Sequence, residues 1–177
     1  IPGEGTKVPL WILGSSLYGA QLAAHLGLPY AFASHFAPED LGQAAKIYRE
    51  RFKPSAVLDK PYFMFAINVF AASTNEEANY IKSSHQQGFA NLISGRPGLL
   101  PRPVDEVTAH IDSMTLSRVN SALRCAATGD LHQVRAQLRD LIERYQPDEL
   151  MINGPIHNHE ARLKSFEIAV QALNSIK

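Results

Sequence analysis

The segment Gly14-Ser15-Ser16-Leu17-Tyr18-Gly19 joins an apolar run to an alanine-rich one and carries two hydroxyls between two glycines. At a strand-to-helix turn of this kind, free backbone N–H groups and the helix dipole point outward. With the two hydroxyls beside them, they suit a phosphate dianion. The glycine spacing is that of a P-loop, but Ala20-Gln21 stands where such a loop needs Lys and Ser or Thr. That argues against a nucleotide triphosphatase. A nucleophile elbow also fails, because Tyr18 occupies the place of its second glycine. Ser16 has a plainer role open to it as well, as the N-cap of the next helix.

Two further polar residues fall where parallel α/β folds keep their sites. His35 lies just past the second apolar run, and Asn68 interrupts the third. Both are candidates for a substrate pocket, although His35 could simply bond to backbone and Asn68 could simply tie a strand to a loop. His157-Asn158-His159-Glu160 resembles a metal cluster only superficially. Neighbouring ligands across a helix start rarely converge, and no second pair of ligands accompanies them, so no metal is expected. Arg162 reads as a helix-surface ion pair and Cys125 as a small helical filler. No paired-carboxylate site is evident.

These residues are positioned by four apolar runs, each followed by a helical pattern. The runs are Pro9–Gly14, Leu28–Ser34, Tyr62–Ala72 and Glu149–Asn153, all read as buried strands. Helices are expected from Leu17 to Leu26 with Gly27 as the stop, and after Pro38-Glu39-Asp40 with Leu41, Ala45, Tyr48 and Phe52 on one face. Ser73-x-x-Glu76 reads as a capping box for a helix to about Leu92. A stretch rich in Gly and Pro from about 94 to 112 reads as an excursion rather than a domain boundary. A helix is expected around Leu116–Ala126, and another after Asp130-x-x-Gln133 with Val134 and Leu138 inward. The last runs from about Asn158 to Asn174 with Leu163, Phe166, Val170 and Leu173 inward. Strand-helix alternation implies parallel pairing in a single domain over residues 1–177. An open α/β sheet and half of an eight-stranded barrel both satisfy that pattern.

Composition narrows the function classes. Of 177 residues, 45% are hydrophobic and 19% charged, enough for a core. Lys+Arg and Asp+Glu are both 17, which argues against a nucleic-acid footprint or a polybasic membrane patch. The single cysteine excludes an intramolecular disulfide and fits a reducing cytoplasm. No apolar stretch approaches the length of a membrane span. The chain starts at Ile1 rather than Met, as a piece of something longer would.

The run Val8-Pro9-Leu10-Trp11-Ile12-Leu13-Gly14-Ser15-Ser16-Leu17-Tyr18, continuing through Leu26-Gly27-Leu28-Pro29-Tyr30-Ala31-Phe32-Ala33-Ser34-His35-Phe36-Ala37-Pro38, resembles the bacterial luciferase-like flavin-dependent monooxygenases. Asp148–Asn153 followed by Ala161-Arg162-Leu163-x-Ser165-Phe166-Glu167 resembles the closing strand and helix of that family. The resemblance implies a (β/α)8 TIM barrel, with this chain as its C-terminal half, strands five to eight. It implies reduced FMN from a separate reductase, or a deazaflavin in its place, with O2 and a small organic substrate such as an aldehyde. It places the FMN phosphate at Ser15, Ser16 and the backbone near Gly19, the flavin ring near Leu13 and Ala33, and Gly14 among the cofactor-binding residues. The family's catalytic histidine belongs to the other half, so this chain alone is expected to be inactive and to pair as a homodimer. A non-catalytic FMN-binding flavoprotein and a self-associating half-barrel are the alternatives.

Overall fold

The computed structural model describes residues 3–176. In chain order the elements are β1 (Ile12–Gly14), α1 (Leu17–Leu26), β2 (Tyr30–Phe32), α2 (Leu41–Arg51), β3 (Phe63–Ala71) and α3 (Asn75–Ile93). A 3-10 turn at Val107–Ala109 follows, then α4 (Ser113–Ala122), β4 (Ala126–Gly129), α5 (Leu131–Tyr145), β5 (Glu149–Asn153) and α6 (His159–Asn174). The fold is α/β with one parallel five-stranded sheet.

β3 is the axis of the sheet, and all nine of its residues are buried. The even-numbered side of its backbone faces β2 near the start and β4 near the end: the Tyr30 N–H donates to the C=O of Tyr62, just before β3, and the Asn68 N–H donates to the C=O of Cys125, just before β4. The odd-numbered residues turn toward β5, where the Asp148 N–H donates to the Phe63 C=O at 2.8 Å. The outermost strands are therefore β1 on one side and β5 on the other.

One face of the sheet is covered by helices. Tyr30, Phe32, Phe63, Phe65, Ile67 and Val69 pack there against Leu41, Tyr48, Val134 and Leu138. The aromatic rings meet tilted or edge-on, Tyr30 to Tyr48 at 5.4 Å between centroids. Small residues let the backbones close in, and Ala20, Ala23 and Ala24 of α1 are wholly buried. Gly27 ends α1 at φ +63°, and a Cβ there would lie 2.5 Å from the Lys53 carbonyl oxygen. Both the conformation and the space require glycine.

The opposite face is open at its margins, and this corrects the expectation of buried outer strands. Pairing register aligns Leu13, Ala31, Met64 and Glu149 in one row, and Ala66 with Met151 in the next. Met64 and Ala66 are buried at the centre, whereas Leu13 is 72% and Met151 52% exposed. Leu10 is likewise exposed. No helix among the described residues packs on that side of the outer strands.

Three local expectations are also corrected. Ala126–Gly129 is a strand rather than the end of a helix. Its sequence, Ala-Ala-Thr-Gly, has little strand propensity of its own. Pairing with Asn68–Ala71 and a clasp from Gln137, which bonds both the N–H and the C=O of Thr128, hold it extended. Between β3 and the crossover helix α5 lie α3, an irregular stretch over 94–112, α4 and β4. The capping box slides by one residue, with Thr74 accepting from the Glu77 N–H and Glu77 accepting from the Ser73 N–H. Finally, α6 buries Ser165, Ala169 and Ala172, leaving Leu163 and Val170 exposed. Small residues win the inward face because α6 lies close on β3, where Ser165 Oγ accepts from the Ala71 N–H at 2.9 Å.

Candidate functional site

At the turn between β1 and α1, strand and helix come close together. A Cβ on Gly14 would lie 3.7 Å from the Gly19 Cα, and one on Gly19 would lie 3.4 Å from the Tyr30 ring. The Tyr30 hydroxyl donates to the Ser16 carbonyl at 3.2 Å and pins the turn from below. Burial, and to a lesser extent Asp40, pushes the Tyr30 phenol well above its usual range, so it remains a donor. Ser16 is the N-cap residue of α1 with extended backbone, yet its side chain makes no capping bond. Nor does the first turn of α1 contain an acid. Its leading N–H groups are left for another acceptor, with the exposed Ser16 and half-buried Ser15 hydroxyls beside them.

The neighbouring strand ends continue the same rim. The Ala33 N–H donates to the Gly14 carbonyl at 2.9 Å, so Leu13, Gly14, Ser15, Ser16, Gly19 and Ala33 lie side by side. Next to Ala33, Ser34 is fully buried and its hydroxyl donates to the Ala66 carbonyl at 2.5 Å. Asn68 is also fully buried, and both ends of its amide are engaged. Nδ2 donates to the His35 carbonyl at 2.5 Å, and Oδ1 accepts from Asn153 Nδ2 at 3.0 Å. Asn68 thus ties the His35 loop to β5 across the sheet. The structure brings all eight residues singled out in the sequence to one end of the sheet, the C-terminal ends of its strands.

One member of this rim was missed in the sequence. His85 of α3 packs its ring 5.7 Å from Phe70 and 6.3 Å from Phe89. Phe70 lies two residues beyond Asn68, on the same face of β3. His85 Nε2 and His35 Nδ1 are buried, and neither has a partner among the described residues. Burial lowers the proton affinity of both rings. For His85 the value falls to about 4, with smaller contributions from His35 and Lys82. Both imidazoles are therefore neutral at neutral pH. The available signal was spacing: Ile81, His85 and Phe89 recur every four residues, which puts a histidine in an otherwise apolar stripe.

The other candidates fall elsewhere. His159 Nδ1 lies 2.7 Å from the Arg162 guanidinium, and His157 is exposed. The described residues contain no group of three or more side chains able to hold a metal ion. Cys125 is buried, and burial raises its thiol pKa. No helix among the described residues is long and apolar enough to cross a membrane.

Comparison with known proteins identifies the family. A family model described as "Luciferase-like monooxygenase" matches residues 1–149. A protein of Escherichia coli (strain K12) named "Luciferase-like monooxygenase" is 48% identical over 170 residues, covering 96% of this chain and 51% of that protein. The uncharacterized protein YvbT of Bacillus subtilis (strain 168) is 43% identical over 168 residues, covering 95% and 50% respectively. The crystal structure of apo-MsnO8 superposes with a TM-score of 0.81 at 26% identity, over all of this chain and 57% of that one. The chain thus spans about half the length of the relatives it matches.

Proposed function

Since the chain belongs to the luciferase-like monooxygenase family, we propose that it is the C-terminal half, strands five to eight, of a (β/α)8 barrel that oxidises a small organic substrate with O2. The exposed outer strands and the doubled length of the relatives support this reading. A second four-strand unit would cover Leu13 and Met151 and satisfy both open sheet edges. In this chain by itself, a second copy takes that place as a homodimer. The setting is the cytoplasm, where the lone buried thiol stays reduced.

The cofactor in this reading is FMN, reduced by a separate reductase. When bound, it supplies the electrons that activate O2. The observation that carries the assignment is the uncapped start of α1 beside the open sheet face. Its N–H groups, with Ser15 and Ser16, would hold the phosphate, while Leu13, Gly14 and Ala33 would border the ring. Leu13, standing free on the open face, offers an apolar surface for a flat aromatic system. His35, positioned by Asn68, faces the substrate side as a neutral hydrogen-bonding group.

Titration with FMN, followed by quenching of its fluorescence, tests the assignment. Saturable quenching that free phosphate competes away is the expected result, and none at all would refute it. A deazaflavin that binds where FMN does not would replace the cofactor but keep the site. Conversion of decanal to decanoate in the presence of reduced FMN and O2 separates enzyme from binder, since free reduced FMN consumes O2 by itself. The 177-residue chain should show none, and the protein carrying both halves should turn over. Sedimentation at micromolar concentration should give a dimer, and a clean monomer with a cooperative melt would overturn the closure argument.

A further inference from the structure

The segment between β3 and α5, with Gln137 of α5, borders a half-open pocket of about 420 Å³, which shares no residue with the α1 turn. Lys82 of α3 and Arg124, just ahead of β4, line it together with the amides of Asn79, Gln86, Asn120 and Gln137. No carboxylate is part of the wall. Gln86 Nε2 donates to Asn120 Oδ1 at 2.8 Å, and Gln137 is fixed on the Thr128 backbone. The wall is therefore pre-set rather than loose.

The two cations differ in how they are balanced. Arg124 Nη1 meets Glu39 Oε1 at 3.1 Å and the Ser121 carbonyl at 2.9 Å. Lys82 has no hydrogen-bond or ion-pair partner among the described residues. Burial alone lowers its proton affinity, with no acid to offset the effect. A cation kept partly out of water without a counter-charge is costly, and an anion in the pocket relieves that cost.

We propose that this pocket binds a compact oxoanion, inorganic phosphate or the phosphate head of a small ester, through Lys82 and Arg124. The ammonium supplies a point charge, the guanidinium supplies its remaining N–H groups, and the side-chain amides can donate to further oxygens. The site is distinct from the flavin-phosphate position and does not depend on it.

Calorimetric titration of the full chain with inorganic phosphate and with methyl phosphate tests the site. A Ser16→Asp background removes any binding at the α1 turn. Millimolar or tighter binding should persist in that background and weaken about tenfold or more in Lys82→Met. It should return in Lys82→Arg, which also guards against a folding defect in the methionine variant. Glu39→Gln, which leaves Arg124 without its carboxylate, should tighten binding. Binding of both probes supports an ester head, and binding of phosphate alone supports the free ion. Absence of binding, or wild-type affinity in Lys82→Met, overturns the site. FMN quenching should be unchanged in Lys82→Met. If FMN fails to bind the wild-type chain while phosphate still does, the flavin reading falls and this one stands.

Discussion

The helices α1 and α6 both start at the same end of the sheet, yet their first turns are finished differently. At α6, Asn158 Oδ1 accepts from the Ala161 N–H at 2.9 Å, and Glu160 supplies an acid to the first turn. At α1, Ser16 makes no capping bond and no acid follows. One helix spends its dipole on its own side chains, and the other leaves it available. A capped end is a contribution to stability, whereas an uncapped end beside hydroxyls is a binding opportunity. The difference is one of partners, because both N-cap residues have ordinary N-cap chemistry.

That contrast is sharpest in variants of Ser16. Ser16→Asp places a carboxylate where the phosphate would sit, and should have the largest effect, abolishing detectable FMN quenching. Ser16→Ala would remove the charge-assisted hydrogen bond proposed to the phosphate, and should weaken FMN binding by about 1.5–3 kcal/mol. Its melting temperature should hardly move, since no capping bond exists to lose. A stability loss without a binding loss would make Ser16 an ordinary cap and dissolve the comparison.

His85 tests whether the rest of the rim is poised in the same way. Burial holds its folded proton affinity at about 4, below the ordinary 6.5. Below about pH 6.5 the unfolded chain therefore binds more protons than the folded one. Stability is full above that point and declines as pH falls toward 4, by about 2–3 kcal/mol for this group. Chemical denaturation across that range should show the decline, and His85→Phe should flatten it. A slope unchanged in the variant would remove His85 from the account.

How far the sequence revealed these differences depended on the range of the interactions involved. The turn at Gly14–Gly19 was legible because its glycines and hydroxyls act locally. His35 and Asn68 were legible because each breaks an apolar context. The uncapped state of Ser16 was not, since residue type alone cannot say whether a hydroxyl turns inward. Leu13, Leu163 and Val170 were read as buried, because hydrophobic patterning reports that a residue prefers cover without saying which part of the molecule provides it. β4 was invisible because its partner is Asn68–Ala71, more than fifty residues earlier. His85 was hidden by its position within a helix whose role is to lie over the strand ends.

Asn158→Ala isolates the other side of the comparison. Loss of that cap should cost about 1 kcal/mol of stability and leave FMN affinity unchanged. Together with Ser16→Ala this forms a double dissociation, one helix start affecting the melt and the other the ligand. A fall in FMN affinity in Asn158→Ala would mean that the two helix starts act as one site.

The smallest expected effect concerns the histidines that flank the α6 start. A metal bridging His157 and His159 would turn this capped end into a ligand site and erase its contrast with α1. The geometry opposes that bridge. His159 Nδ1 is already engaged by the Arg162 guanidinium, and its fixed positive charge would repel an incoming cation. Structural zinc also needs four ligands with deprotonated donors, and the described residues bring no third His, Cys, Asp or Glu into range. Dialysis against a chelator should therefore leave the melting temperature unaltered, because no folding energy resides in an ion there. A drop of several degrees that zinc restores would show that this corner is a metal site after all.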